Sequence, residues 1–384
     1  MMTTYIQAKQ FFYPYTVKKG GYLAITDGKF GDWVKEVPEG ADILDLSGFS
    51  IAPGLVDTHI HGYGGVDVMD NNIEGTLSTM SVGLLSTGVT SFLPTTLTSS
   101  FEQLLAVTKN LGEHYQEAQG AKIRGIYFEG PYFTEKYKGA QNPAYMKDPS
   151  LEEFAAWQEA SKGMITKIAL APERETAPEF IRTVTEQGVT VALGHSNATF
   201  DEAARAVEAG ASVWVHAYNG MRGLTHRELG MVGAMYELPH TTAELICDGH
   251  HVDPKACDIL LKQKGYENVA LITDCMTAGG QPDGDYMLGE FPVVVENGTA
   301  RLKESGNLAG SILKLKDGVK NVVGWGIANV QEAITMATLV PAKSVGMDHL
   351  CGQIKKGHDA DFIVLDDDLE LIATYLNGEE RFHA

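Results

Sequence analysis

The 384-residue chain is 44% hydrophobic and 21% charged, a globular composition long enough to bury a large core, which excludes a disordered tail protein, a collagen-like fibre and a small disulfide scaffold. Its 30 basic and 50 acidic residues give a net charge of −20, so its surface repels phosphate polyanions and anionic bilayers, which argues against nucleic-acid and membrane partners. The four cysteines, Cys247, Cys257, Cys275 and Cys351, include no CxxC pair and make no disulfide framework.

The first residues lack a basic stretch followed by an apolar core, and no run approaches the ~18 apolar residues of a membrane span. A soluble, cytoplasmic protein is expected. Short β-like pieces then recur at Tyr5–Gln7, Tyr22–Thr26 and Ile43–Leu46, broken by Gly20-Gly21, Asp27-Gly28 and Glu39-Gly40. Asp27-Gly28 after an apolar run is a hairpin signal.

From Pro53 the pattern alternates. Apolar strand-like runs fall at 54–59, 89–95, 122–129, 165–171, 189–195, 212–216, 242–247 and 268–274, and helical patterns separate most of them. Ser150-x-x-Glu153 reads as a capping box opening a helix that carries Leu151, Phe154 and Ala155 on one face, and Thr199-x-x-Glu202 opens another. Residues 275–315 exceed an ordinary loop and predict an extra hairpin at Phe291–Val295 and Ala300–Leu302. Near the end come a buried-strand pattern at 361–365 and a turn at Asn377-Gly378. These readings predict an α/β fold: a TIM-like (β/α)8 barrel over 53–341, with a small β-sandwich domain built from 1–52 together with 342–384. A doubly wound open sheet is the alternative, but no GxGxxG opens a helix after a strand.

The chemistry-bearing residues fall at predicted strand ends. His59 and His61 close the first strand, and residues two apart in a strand share a face. Glu129 closes the third, His195 the fifth, His216 the sixth and Asp274 the eighth. Singly, each histidine reads more readily as a structural hydrogen-bonder than as a ligand, and each carboxylate as a helix cap or salt-bridge partner. Together they occupy one rim, where barrel active sites sit, and their donors suit zinc, iron or another divalent ion.

Pro53-Gly-Leu-Val-Asp-Thr-His-Ile-His-Gly62 resembles the first-strand motif of the amidohydrolase superfamily, and Gly352–Leu365 resembles its return to the small β domain. Within it, the motifs Glu129-Gly-Pro131, Gly194-His-Ser196, His216–Met221, Cys247–His251, Thr273-Asp274 and Leu308–Ser311 resemble the N-acetylglucosamine-6-phosphate deacetylase family. The resemblance implies a hydrolase that releases acetate from N-acetylglucosamine 6-phosphate. It implies Glu129, His195 and His216 as main metal ligands, His59 and His61 as ligands of a second ion, and Asp274 as catalytic carboxylate. His251 then contacts substrate near the amide, Asn219, the Gly220 backbone and Arg227 hold the phosphate, and Ala140 and Leu308 line the sugar site. At Gln141 the family usually carries a sugar-contacting histidine; glutamine can hydrogen-bond there but cannot become cationic. One or two divalent ions per subunit, zinc or iron, and a homodimer are implied in the same way.

Such residues suit amide hydrolysis. A bound divalent ion lowers the pKa of water from about 15.7 to roughly 7 and polarises a carbonyl. The amine leaves only when protonated, and one carboxylate can carry the proton from water to nitrogen. A phosphate contact through Arg227 would offset the repulsion set by the acidic surface.

Overall fold

The computed structural model describes residues 3–70 and 73–384. Eight parallel strands form the expected barrel: Leu55–Ile60, Val89–Thr96, Ile126–Tyr132, Ile165–Leu170, Thr190–Leu193, Val213–Trp214, Thr242–Ile246 and Val269–Ile272. Beyond the last strand the ring closes through a parallel bridge between Ile60 and Cys275, with Asp274 N–H donating to the His59 carbonyl at 2.9 Å. A helix follows each strand before the next. The apolar side chains that coat the barrel wall, such as Leu55, Phe92, Phe128, Ile168, Val191 and Trp214, are buried against these helices.

The third strand differs from the single run predicted over 122–129. Lys122–Ile123 pairs with the second strand on its own, and the chain steps before Ile126. Gly125 makes that step because a Cβ there would lie 2.2 Å from Thr166 Oγ1. Helix Phe200–Glu208 has the full capping box at Thr199 and Glu202. Helix Leu151–Ala160 has half of one: Ser150 accepts from Glu153 N–H, but the Glu153 carboxylate goes to Lys147. Its buried residues are Phe154 and Trp157, and Ala155 is exposed, so the predicted face is rotated toward the bulky indole.

The termini build one eight-stranded sheet. Its central strand Asp42–Pro53 pairs parallel with Thr3–Tyr13 and antiparallel with Phe362–Leu365. Asp27-Gly28 and Asn377-Gly378 turn hairpins, with all four residues at positive φ, as a tight two-residue turn requires. The sheet carries its own core of Ile6, Phe11, Leu23, Phe30, Ile51 and Phe362. The predicted insertion is a three-stranded meander, Gly284–Leu288, Phe291–Glu296 and Thr299–Leu302, one strand more than expected. Among the described residues no helix is long and apolar enough to cross a membrane.

Candidate metal centre

At the carboxyl ends of the strands, two groups of metal-compatible atoms meet. His59, His61 and Asp274 form one; Glu129, His195 and His216 form the other; within each group the ligand atoms lie within 4.8 Å of one another. Glu129 joins them. Its Oε1 is 3.3 Å from Nε2 of His59, His195 and His216 alike, and its Oε2 is 3.2 Å from His61 Nε2. Asp274 Oδ1 stands 3.1 Å from His61 Nε2 and 3.4 Å from His59 Nε2.

The backbone is bent to achieve this. His195, His216 and Asp274 adopt φ of 46°, 26° and 51°, a left-handed region that costs an ordinary residue about 1–3 kcal/mol and recurs at functional sites. Surrounding hydrogen bonds hold the bends: Thr134 N–H donates to the His195 carbonyl, Asn219 N–H to His216, and Ser311 N–H to Asp274. Gly220, at φ 58°, is needed for packing, because a Cβ there would fall 2.9 Å from His195 Nδ1.

Each imidazole is tied on its far nitrogen. Nδ1 of His61, His195 and His216 faces the carbonyls of Thr95, Tyr137 and Asn219 at 3.1, 2.9 and 3.1 Å, and His59 Nδ1 faces Glu244 Oε2 at 3.2 Å. A carbonyl can only accept, so Nδ1 carries the proton in those three and Nε2 is the free ligand atom. His195 and His216 bring their Nε2 atoms to 3.0 Å; two such lone pairs repel unless a cation lies near both. His59 Nε2 is buried without a hydrogen-bond partner. The donor set and this orphaned nitrogen fit a divalent ion.

The electrostatics make the same demand. Burial works against charge on His59, but Glu129 and Asp274 outweigh it and raise the imidazole to about 9. His61 is raised well above its ordinary value by the same two carboxylates, against burial. Despite their own burial, Glu129 and Asp274 are held below the usual carboxylate range by the facing histidines. The hollow therefore holds positive charge as protons or as metal. At pH 7, zinc uptake is expected to release protons from His59 and His61. The apparent affinity should climb up to ~10-fold per pH unit for each proton displaced, the contribution of His59 levelling near pH 9. An indicator dye in weakly buffered solution measures the release; uptake without acidification would contradict it.

A cavity of 240 Å³ opens over the centre. Its lining includes His61, Glu129, His195, His216 and Asp274, and also Ala140, Gln141, Asn219, Gly220, His251 and Leu308. His59 lies behind it, fully buried. Arg227 is exposed and outside the lining. His251 Nδ1 is held by Asp248 Oδ2 at 2.6 Å, which leaves Nε2 for a ligand.

Gln141 does not simply stand in for a sugar-contacting histidine. Its Oε1 accepts from Thr98 N–H at 2.8 Å, which orients the amide so that Nε2 donates to Glu129 Oε2 at 2.6 Å. It steadies the carboxylate shared by both groups. Gln141→Leu should cost about 1–3 kcal/mol by leaving the buried Thr98 N–H without its acceptor and removing one donor from Glu129 Oε2. Thermal denaturation reads this, and an unchanged Tm would contradict the clamp.

Two buried charges escaped the sequence reading. Lys167 and Glu244 pair beneath His59, each almost wholly inaccessible. The available signal was a lone charge inside an apolar strand, in Ile165–Leu170 and Thr242–Ile246.

An amidohydrolase family model matches residues 50–381. The N-acetylglucosamine-6-phosphate deacetylase of Vibrio furnissii is 41% identical over 345 residues, covering 90% of this chain and 86% of the relative. The N-acetylgalactosamine-6-phosphate deacetylase of Escherichia coli O157:H7 is 40% identical over 361 residues, 93% of each chain. A mutant N-acetyl-D-glucosamine-6-phosphate deacetylase from Mycobacterium smegmatis, solved in complex with N-acetyl-D-glucosamine-6-phosphate, aligns at a TM-score of 0.93 and 30% identity, over 99% of this chain and 100% of that one.

Proposed function

The chain belongs to the amidohydrolase family, and on that premise we propose that it hydrolyses N-acetylglucosamine 6-phosphate to glucosamine 6-phosphate and acetate. The observation that carries the chemistry is the pair of ligand groups sharing Glu129 under one cavity, with Asp274 on its rim. The sugar phosphate is taken from what the relatives act on.

Glu129, His195 and His216 would hold one divalent ion, zinc or iron, and His59 and His61 a second. The ion, when bound, supplies an acidified water and a polarised carbonyl. Asp274 takes a proton from the attacking water and returns it to the departing nitrogen, so that the amine leaves neutral. His251, with its Nδ1–H held by Asp248, donates to the carbonyl oxygen as charge builds there when Nε2 carries a proton as well, in the imidazolium form, a contact of the kind whose loss costs about 2.7–4 kcal/mol. Asn219 and the Gly220 N–H bind the phosphate, and Ala140 and Leu308 enclose the sugar. The same reading makes the protein a cytoplasmic homodimer, with a neighbouring chain close to the phosphate. The exposed Arg227 contacts that phosphate from outside the cavity of its own chain.

A second reading, the galacto epimer as substrate, is favoured by the 40% identical relative that acts on it. Acetate release from the two phosphorylated epimers and from unphosphorylated N-acetylglucosamine separates the readings. The proposal expects the gluco phosphate to be preferred, activity to vanish on chelation, and Arg227→Ala to raise KM for the phosphorylated sugar. Activity indifferent to both the phosphate and Arg227 would overturn it in favour of another amide substrate.

A further inference from the structure

We propose that Lys167 and Glu244 form a positioning pair that fixes His59 as a metal ligand and sets the affinity of the second ion. The inference rests on the two-ion reading above. Neither residue reaches the cavity, and neither has a part in the proton transfers. Both are buried in the barrel interior, where an ion pair serving stability alone gains little over apolar side chains of the same size.

Their contacts point toward one imidazole. Glu244 divides its carboxylate: Oε1 takes the Lys167 ammonium, and Oε2 lies 3.2 Å from His59 Nδ1. Lys167 is itself held, 3.4 Å from the Thr58 carbonyl and 3.7 Å from the centroid of the Tyr127 ring. The Tyr127 ring also packs edge-on to His59, at 4.9 Å between centroids. The imidazole is thus fixed on its side and on its far nitrogen, and Nε2 is left facing Glu129 and Asp274 with no hydrogen-bond partner.

The other three ligand histidines rest on neutral backbone carbonyls. His59 alone rests on a carboxylate, which fixes the tautomer and makes Nε2 the more basic donor. A lone carboxylate so deeply buried would take up a proton. The Lys167 ammonium on Oε1 supplies the countercharge that keeps the buried Glu244 carboxylate available to His59 through Oε2. The lysine therefore acts through the glutamate, and the glutamate through the histidine.

The test is zinc uptake by the full-length protein, stripped of metal and titrated against a competing chelator. The parent should take up two equivalents. The variant Lys167→Met with Glu244→Leu removes both charges at similar volume, and Glu244→Gln removes one. In each, the second equivalent should weaken about 10–100-fold, while the first, at Glu129, His195 and His216, changes by less than threefold. A purely structural role would weaken both equivalents or neither. Histidine-selective ¹⁵N spectra of the unaltered zinc-loaded protein give a readout that does not depend on a variant folding: His59 should be protonated at Nδ1 and metal-shifted at Nε2. Unchanged second-ion affinity in a folded variant, or metal at His59 Nδ1, overturns the positioning pair alone. A parent that takes up one equivalent overturns the two-ion reading and the pair with it.

Discussion

Asp274→Asn is expected to lower turnover about 10²–10⁴-fold, the range spanned by positioned proton carriers, with one ion still bound at Glu129, His195 and His216. Asparagine matches aspartate in shape, and the φ of 51° at this position is one that asparagine tolerates well. It keeps the hydrogen-bonding outline but can neither accept nor return a proton. Because Asp274 Oδ1 also stands 3.1 Å from His61 Nε2 and 3.4 Å from His59 Nε2, the substitution should weaken the second ion as well. Saturating metal separates the two effects. It refills a weakened ligand site but does not replace a missing proton carrier, so turnover should stay low at full occupancy. Recovery of more than a tenth of the parent rate under added metal would assign Asp274 to ligation alone.

Glu129→Ala should be more severe. Its carboxylate is within 3.3 Å of the Nε2 atoms of all four ligand histidines, so both groups lose their shared member at once. Elemental analysis after dialysis should find neither ion at stoichiometric level, and turnover should fall by at least ~10³-fold, the loss that removing a single electrostatic stabiliser can reach. His61→Ala, by contrast, takes a member from one group and should leave the other ion in place. A Glu129→Ala protein that keeps a full equivalent of metal would show that the glutamate does not bridge.

Much of this centre was legible in the sequence because of a property of parallel barrels: strand ends converge on one rim. His59 and His61 share a face by the two-residue period of a strand; Glu129 falls inside strand three, which runs on to Tyr132, and Asp274 just past the end of strand eight. The bends that aim His195, His216 and Asp274 were not legible. Left-handed φ is signalled in sequence by glycine or asparagine, and here the loops impose it on other residues. Gln141 was placed at the sugar; its link to Thr98 and Glu129 depends on an aperiodic loop whose path no pattern encodes. Lys167 and Glu244 lie 77 residues apart, and their pairing follows only once strands four and seven face each other across the interior. Ser150 and Glu153 carry the letters of a capping box, but Lys147 competes for the glutamate and half of the box is lost.

Anomalous X-ray scattering at the zinc absorption edge, from crystals of the zinc-loaded protein, tests the central claim most directly. Two peaks are predicted, one in reach of His195 and His216 and one in reach of His59, His61 and Asp274, with Glu129 touching both. A zinc-loaded crystal with no peak between these side chains would contradict the metal-centred account of the whole site.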